Sequence, residues 1–402
     1  MKKIILAIDS FKGSISSSEA NHAAAKGIKK VFPECEIDEI PISDGGEGML
    51  ELLMTLTKGK KVKITAHDPL NRLINTTYGI SGDGKTALIE MSNISGLTLL
   101  KESERNPWVT TSYGTGELIA HALNHGCRNF IIGIGGSATN DCGLGMLQAL
   151  GFHFLDKYGQ ECGVGGKIMS KVVTIDTTHA MAELKESNFT VACDVNNTLY
   201  GKTGAAYVYA KQKGADEITI ANLDQGLRHI AEITKEQLGK DITIPGSGAA
   251  GGMGAAFIGF FNASLKPGIN LSLDLSCFQQ RAKDADLIIT GEGQFDKQSI
   301  MGKVADGILN KAKPLNIPVI VIAGSLLDME LLNKAGFAGI FSIAHSPMSL
   351  KDAMDPVTTR SNITNSVTQI CTLIKFIPKI RKELSITHPN NFKSVVTLNH
   401  HS

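Results

Sequence analysis

The chain reads as an α/β protein whose parallel-sheet domain is split by an inserted second α/β domain. Three observations predict this. Strand-like apolar runs alternate with helical stretches near the start; the same grammar returns late in the chain; and the long middle section has a different texture. At 402 residues the chain exceeds the size at which one hydrophobic core stops growing, so two domains are expected. The division predicted is 1–67 with 282–375 for the interrupted domain and 68–281 for the insertion. Residues 376–402, polar and basic, are expected to form a poorly ordered tail.

The opening apolar run Ile4–Ile8 is interrupted by Asp9 after five residues, too soon for a signal peptide, and reads as a strand over Lys3–Ile8. A loop, Asp9–Ser14, leads into a helix over Ser18–Val31 with Ala20, Ala23, Ala24, Gly27 and Ile28 along one face. Strand Glu36–Ile40, loop Ser43–Gly48, helix Met49–Lys58 and strand Lys61–Thr65 follow. Such alternation implies right-handed crossovers and a parallel sheet whose ligand loops gather at one edge. Hairpin-like alternation around Thr76–Met91 marks the change of texture. Gly246–Leu265 is uncharged and long enough to span a bilayer. Its glycines, with Ser247, Asn262 and Ser264, predict a buried, tightly packed helix instead. Ala285–Thr290, Val319–Ala323 and Gly339–Ile343 then read as strands covered on both faces.

Lys plus Arg number 40 against 39 for Asp plus Glu, a net charge of +1. That balance offers no electrostatic footprint for nucleic acid or an anionic membrane, and points to a small-molecule partner. The 42 glycines suit a backbone that approaches ligands closely at several turns. Seven cysteines, scattered and without a C-x-x-C pair, imply reduced thiols and a cytoplasmic setting.

Gly79-Ile80-Ser81-Gly82-Asp83-Gly84-Lys85-Thr86 matches the P-loop pattern literally. A working P-loop needs a helix after it, whereas both flanks here are strand-like and Asp83-Gly84 is a hairpin turn, so the match is read as chance. Gly133-Ile134-Gly135-Gly136-Ser137-Ala138 fits the dinucleotide fingerprint, with Asp156 about twenty residues on. Thr139–Leu150, however, must then hold a whole crossover helix despite two glycines, Asn140 and Asp141. The loop Gly135–Asp141 still offers glycines and polar residues ahead of a helix, a nest of backbone donors suited to phosphate, with a plain capped turn as the bland alternative.

Two acidic glycine loops, Asp44–Gly48 and Gly291–Asp296, supply carboxylates that can hold Mg²⁺ or accept a proton, or serve only as turns and caps. Lys12 stands beside the same sheet edge as a flexible cation. Cys193–Asn197 brings another carboxylate, Asp194, and Gln212–Ala215 follows soon after; each could equally be a capped loop. Pro245–Gly254 permits close approach either to a ligand or between helices. His121 and His125 lack the third ligand and the glutamate of a zinc protease and are read as solvent-facing or capping residues.

Taken in order, Asp9–Gly13, Asp44–Gly48, Gly135–Asp141, Gly248–Gly254 and Thr290–Gly293 resemble the bacterial glycerate kinase type 1 family, over nearly the whole chain up to about Lys375. The resemblance implies a flavodoxin-like domain split by a second α/β domain, and ATP-dependent phosphorylation of D-glycerate with 2-phosphoglycerate as the usual product. On this reading Gly135, Gly136, Ser137, Thr139 and Asn140, with Gly291 and Glu292, bind ATP; Asp44, Glu47 and Asp296 hold Mg²⁺. Asp194 or Asp44 orients and deprotonates the substrate hydroxyl, and Lys12 pulls on the carboxylate or the transferred group. Homo-oligomerisation is left open. Two features depart from the family: Gln294 stands where an arginine is usual, and Asn197-Thr198 where Asn-Pro is usual. The rival readings are an NAD-dependent dehydrogenase of a small hydroxy acid and a non-catalytic anion-binding protein.

Overall fold

The computed structural model describes residues 1–43, 49–297, 299–300 and 302–387. In chain order the strands are β1 (Lys3–Ile8), β2 (Glu36–Glu39), β3 (Lys60–His67), β4 (Leu73–Ile80), β5 (Thr86–Glu90), β6 (Asn129–Gly133), β7 (His153–Leu155), β8 (Thr174–Asp176), β9 (Asn188–Ala192), β10 (Ser264–Lys266), β11 (Leu287–Phe295), β12 (Val319–Leu326) and β13 (Gly339–Ser342). They fall into two compact units. One runs from Met1 to Ile42 and resumes at Gln279; the other runs from Ser43 to Phe278 and takes in Gly302–Val304.

The first unit holds a five-stranded sheet in the order β13-β12-β11-β1-β2, parallel throughout. Numbered within the unit this is the 2-1-3-4-5 flavodoxin-like order, whose direction reverses between β1 and β11. Ile4, Leu6, Ile8, Ile289 and Ile322 point into one core shared with Ala20, Ala24 and Ile28 of the helix Ser17–Val31. That helix opens on a capping box between Ser16 and Glu19, which satisfies two otherwise unpaired amides and is worth about 1 kcal/mol. It packs on the helix Pro356–Thr387, with Thr364 Oγ1 donating to the Ala23 carbonyl at 2.9 Å. A Cβ on Gly27 would come within 2.6 Å of the Thr364 carbonyl oxygen, so the glycine sets that approach.

Two sequence expectations change here. The tail expected from residue 376 begins inside this last helix, which continues to Thr387; residues 388–402 lie outside the described residues. The acidic glycine segment Gly291–Phe295, expected as a loop, prolongs β11, pairing Gly291 with Ile322, Glu292 with Ala323 and Gln294 with Ser325. Gly291 serves strand packing, because a Cβ there would lie 2.0 Å from the Ile322 carbonyl oxygen.

The second unit holds a six-stranded sheet in the order β10-β9-β6-β5-β4-β3, with β7 and β8 paired apart from it. β3, β4 and β5 run antiparallel, while β5, β6, β9 and β10 are parallel. One face packs stacked aromatics, with Phe130 against Phe189 at 4.6 Å and Phe189 against Phe261 at 4.8 Å between ring centroids. The other is covered by the helix Met49–Thr57 through Leu50 and Leu53 on Leu88 and Ile131. The boundary expected at residue 67 moves accordingly. β3 pairs along its whole length with β4, so residues 49–67 belong with the second sheet, and the chain leaves the first unit after Ile42.

Gly246–Leu265 is a buried helix, Ala249–Phe261, with a left-handed turn at Ala250, Gly251 and Gly252. Among the described residues no helix is long and apolar enough to cross a membrane. All seven cysteines are free thiols.

Candidate active site

β6 lies between β5 and β9 and ends at Gly133, so the chain that follows leaves from the carboxyl edge of the parallel strands, where open α/β sheets bind ligands. The loop turns at Gly136, whose φ is +71°, and is stitched down by Ala138 N–H to the Ser95 carbonyl and Leu97 N–H to the Gly136 carbonyl, both at 2.9 Å. The N–H groups of Gly136 and Ser137 donate to no acceptor among the described residues. Asp141, fully buried, anchors the far end: its carboxylate accepts from Ser112 N–H and Oγ–H at 2.8 Å, Gly143 N–H at 3.2 Å and Gly145 N–H at 3.3 Å. Burial pushes the Asp141 carboxyl above its ordinary range, and those donors pull it back.

The left-handed turn backs this loop. A Cβ on Gly251 would lie 2.1 Å from the Thr139 carbonyl oxygen, and Cys142 N–H donates to the Gly251 carbonyl at 3.1 Å. Of the two alternatives for the glycine-rich 245–254 segment, close packing is observed at Gly251 and Gly252, while Ala249 and Ala250 line a cavity of about 390 Å³.

Gly135, Gly136, Ser137, Asp194 and Lys213 also line that cavity. Asp194 follows β9, is exposed, and has one carboxylate oxygen accepting from Gly268 N–H at 2.8 Å. Thr139 and Asn140, expected in the phosphate cradle, are completely buried behind the wall and do not line it. Thr139 Oγ1 and both polar atoms of the Asn140 side chain are buried with no partner among the described residues.

Lys213 enters the sequence reading only as part of the Gln212–Ala215 segment, with no role assigned. It sits in the short turn Lys211–Lys213, closed by Gly214 at φ +95°, and is 2 % exposed. Its Nζ donates to Ser137 Oγ at 2.7 Å and to the Thr139 carbonyl at 2.6 Å. Burial pulls the ammonium down to about 7, opposed by the charge of Asp141. The flanking alanines, Ala210 and Ala215, are the one sequence signal that this lysine turns inward.

The remaining predicted residues divide. Lys12, Gly291, Glu292 and Asp296 belong to the first unit, at the point where its strand order reverses. Ile8 pairs with Gly291, and Asp9 N–H donates to the Gly291 carbonyl at 2.9 Å. Lys12 is exposed in the tight turn Phe11–Ile15, and a Cβ on Gly293 would lie 3.8 Å from its backbone nitrogen. Asp296 accepts from Gln294 Nε2 at 3.1 Å. Asp44 and Glu47 lie outside the described residues.

Among the described residues no three His, Cys, Asp or Glu side chains cluster as a dedicated metal cage. Mg²⁺ is commonly held by one or two carboxylates with substrate phosphates and water, and a carboxylate such as Asp296 fits that use. His121 accepts or donates at Tyr78 Oη, 2.9 Å away, and His125 at the His121 carbonyl, 2.7 Å, so neither is arranged as a ligand. The dinucleotide alternative loses its acidic residue: Asp156 accepts from Tyr158 N–H at 2.8 Å and Gln160 N–H at 3.0 Å in a local turn.

The family model described as the glycerate kinase family matches residues 4–375. Glycerate 2-kinase of Escherichia coli is 46% identical over 353 residues, 87% of this chain and 93% of that protein. Glycerate kinase of Haemophilus influenzae is 45% identical over 354 residues, 88% and 94% of the two chains. The crystal structure of a glycerate kinase 2 from Salmonella typhimurium superposes with a TM-score of 0.84 at 40% identity, covering 93% of this chain and 98% of that one. Fold and relatives together define a kinase, an enzyme of phosphoryl transfer. Within that class the chain belongs to the glycerate kinase family.

Proposed function

We propose that the protein phosphorylates D-glycerate from ATP, giving 2-phosphoglycerate and ADP in the cytoplasm. The observation that carries this reading is the cavity of the second unit, where a glycine loop with uncommitted amides, a buried lysine and an exposed aspartate share one wall. Family membership supplies the substrate class.

Phosphoryl transfer leaves the protein mainly positioning and charge stabilisation. Gly135, Gly136 and Ser137 cradle nucleotide phosphates, with Thr139 and Asn140 shaping the loop from behind. Asp194 orients the substrate hydroxyl and takes its proton; Asp44 is the alternative base. In the first unit Lys12 attracts the substrate carboxylate or the transferred group, and Gly291 and Glu292 contribute to nucleotide binding. Asp44, Glu47 and Asp296 would hold Mg²⁺, which when bound neutralises charge on the phosphate oxygens. A coupled ADP-release assay with D-glycerate and Mg-ATP, followed by phosphorus NMR of the product, tests the reading. ADP release with a 2-phospho product is the expected result. A 3-phospho product overturns the regiochemistry, and no glycerate-dependent ADP overturns the assignment.

A further inference from the structure

We propose that Lys213 is a positioning residue of the second unit's cavity: its ammonium forces Ser137 to present its hydroxyl hydrogen to a phosphate oxygen and supplies the buried positive charge that makes the cavity an anion site. The identity of the anion as a nucleotide phosphate rests on the kinase reading; the rest stands on geometry.

An ammonium has three donors and no acceptor. Two of them reach Ser137 Oγ and the Thr139 carbonyl. Since Lys213 can only donate, Ser137 Oγ accepts from it and its own hydrogen must turn elsewhere. Ser137 lines the cavity beside Gly136, and the amides of both residues have no acceptor among the described residues. The wall is therefore rich in donors. Burying an ammonium at 2 % exposure is expensive unless a charge answers it. Lys213 is paired to a hydroxyl and a carbonyl, not to a carboxylate, and the Asp141 carboxylate, bonded directly to Ser112, Gly143 and Gly145, balances its charge only in part. An anion in the cavity adds to the partial compensation that Asp141 supplies.

The depressed ammonium, at about 7, makes the site titrate near neutrality. The charged and titratable groups around it are Asp141 behind the loop, Asp194, Cys193 and Tyr209 on the cavity wall, and Arg105, whose carbonyl abuts Gly214. Burial pushes the Cys193 thiol and the Tyr209 phenol up, away from neutrality.

The test is calorimetric titration of the full chain with Mg-ADP and, separately, inorganic pyrophosphate, from about pH 6 to about pH 8.5. Wild-type affinity should fall about tenfold across that range as Lys213 loses its proton. Lys213→Met should bind about tenfold or more weakly at the acid end and lose the pH slope. Ser137→Ala should weaken binding a few-fold, roughly one hydrogen bond's worth, and keep the slope. A flat wild-type profile, or Lys213→Met binding as well as wild type, overturns the proposal. Should Lys213→Met fail to fold, the wild-type slope and Ser137→Ala decide. Pyrophosphate binding that behaves as expected without glycerate-dependent ADP release would remove the kinase reading and leave Lys213 in place.

Discussion

Residues 79–86 and 133–141 are both glycine-rich, both connected to strands of the same sheet, and both written like phosphate loops, yet they fold into different things. The first satisfies the P-loop pattern letter by letter and is a hairpin between antiparallel β4 and β5. Three of its amides are spent: Gly82 N–H on the Thr57 carbonyl, Gly84 N–H on the Ser81 carbonyl, Lys85 N–H on Asp83 Oδ1, all at 2.9–3.0 Å. The second leaves a parallel strand at its carboxyl end, keeps the amides of Gly136 and Ser137 uncommitted, and has a buried lysine behind it. Anion binding is decided by which donors the neighbours leave unused, and a glycine pattern alone carries no information about that.

The contrast can be broken most forcefully beside the second loop. Asp194→Asn keeps the shape of the carboxylate and removes its basicity, so kcat for glycerate-dependent ADP release should fall about 10²- to 10⁴-fold; near-normal turnover would eliminate Asp194 as the base. Asp141→Asn should act on stability. It removes the charge that partly balances Lys213 and places an amide among four donors, so urea unfolding should show a loss of about 3 kcal/mol, and a change under about 1 kcal/mol would contradict the anchoring role. The smallest effect belongs to the hairpin. Lys85 is exposed, and Lys85→Ala should leave kcat/KM within about twofold and stability within about 0.5 kcal/mol. A true P-loop lysine would cost far more.

How much of this was legible in the sequence follows from what each feature depends on. Ile4–Ile8 and Val319–Ala323 announced themselves because a strand covered on both faces must be apolar throughout. The discontinuous sheet followed from their recurrence, and its flavodoxin-like type from the family resemblance. Lys61–Thr65 was placed in the wrong sheet because strand character says nothing of the partner, and only pairing with β4 settles it. Gly291–Phe295 looked like a loop because glycine, glutamate and glutamine are poor strand formers, but Gly291 is required by the close Ile322 carbonyl. That Gly135–Ser137 and Asp194 follow strands could be read. The burial of Lys213 could not, since a lysine at 2 % exposure is a tertiary outcome that local pattern opposes.

Gln294 illustrates the same limit. Where the family resemblance implies arginine, its amide donates to Asp296, a local bond that a sequence pattern cannot reveal.

The measurement that bears most directly on the loop assignment is backbone hydrogen exchange with and without Mg-ADP. Slower exchange in residues 134–141 with no change in residues 79–86 is expected. Protection confined to residues 79–86 would contradict it.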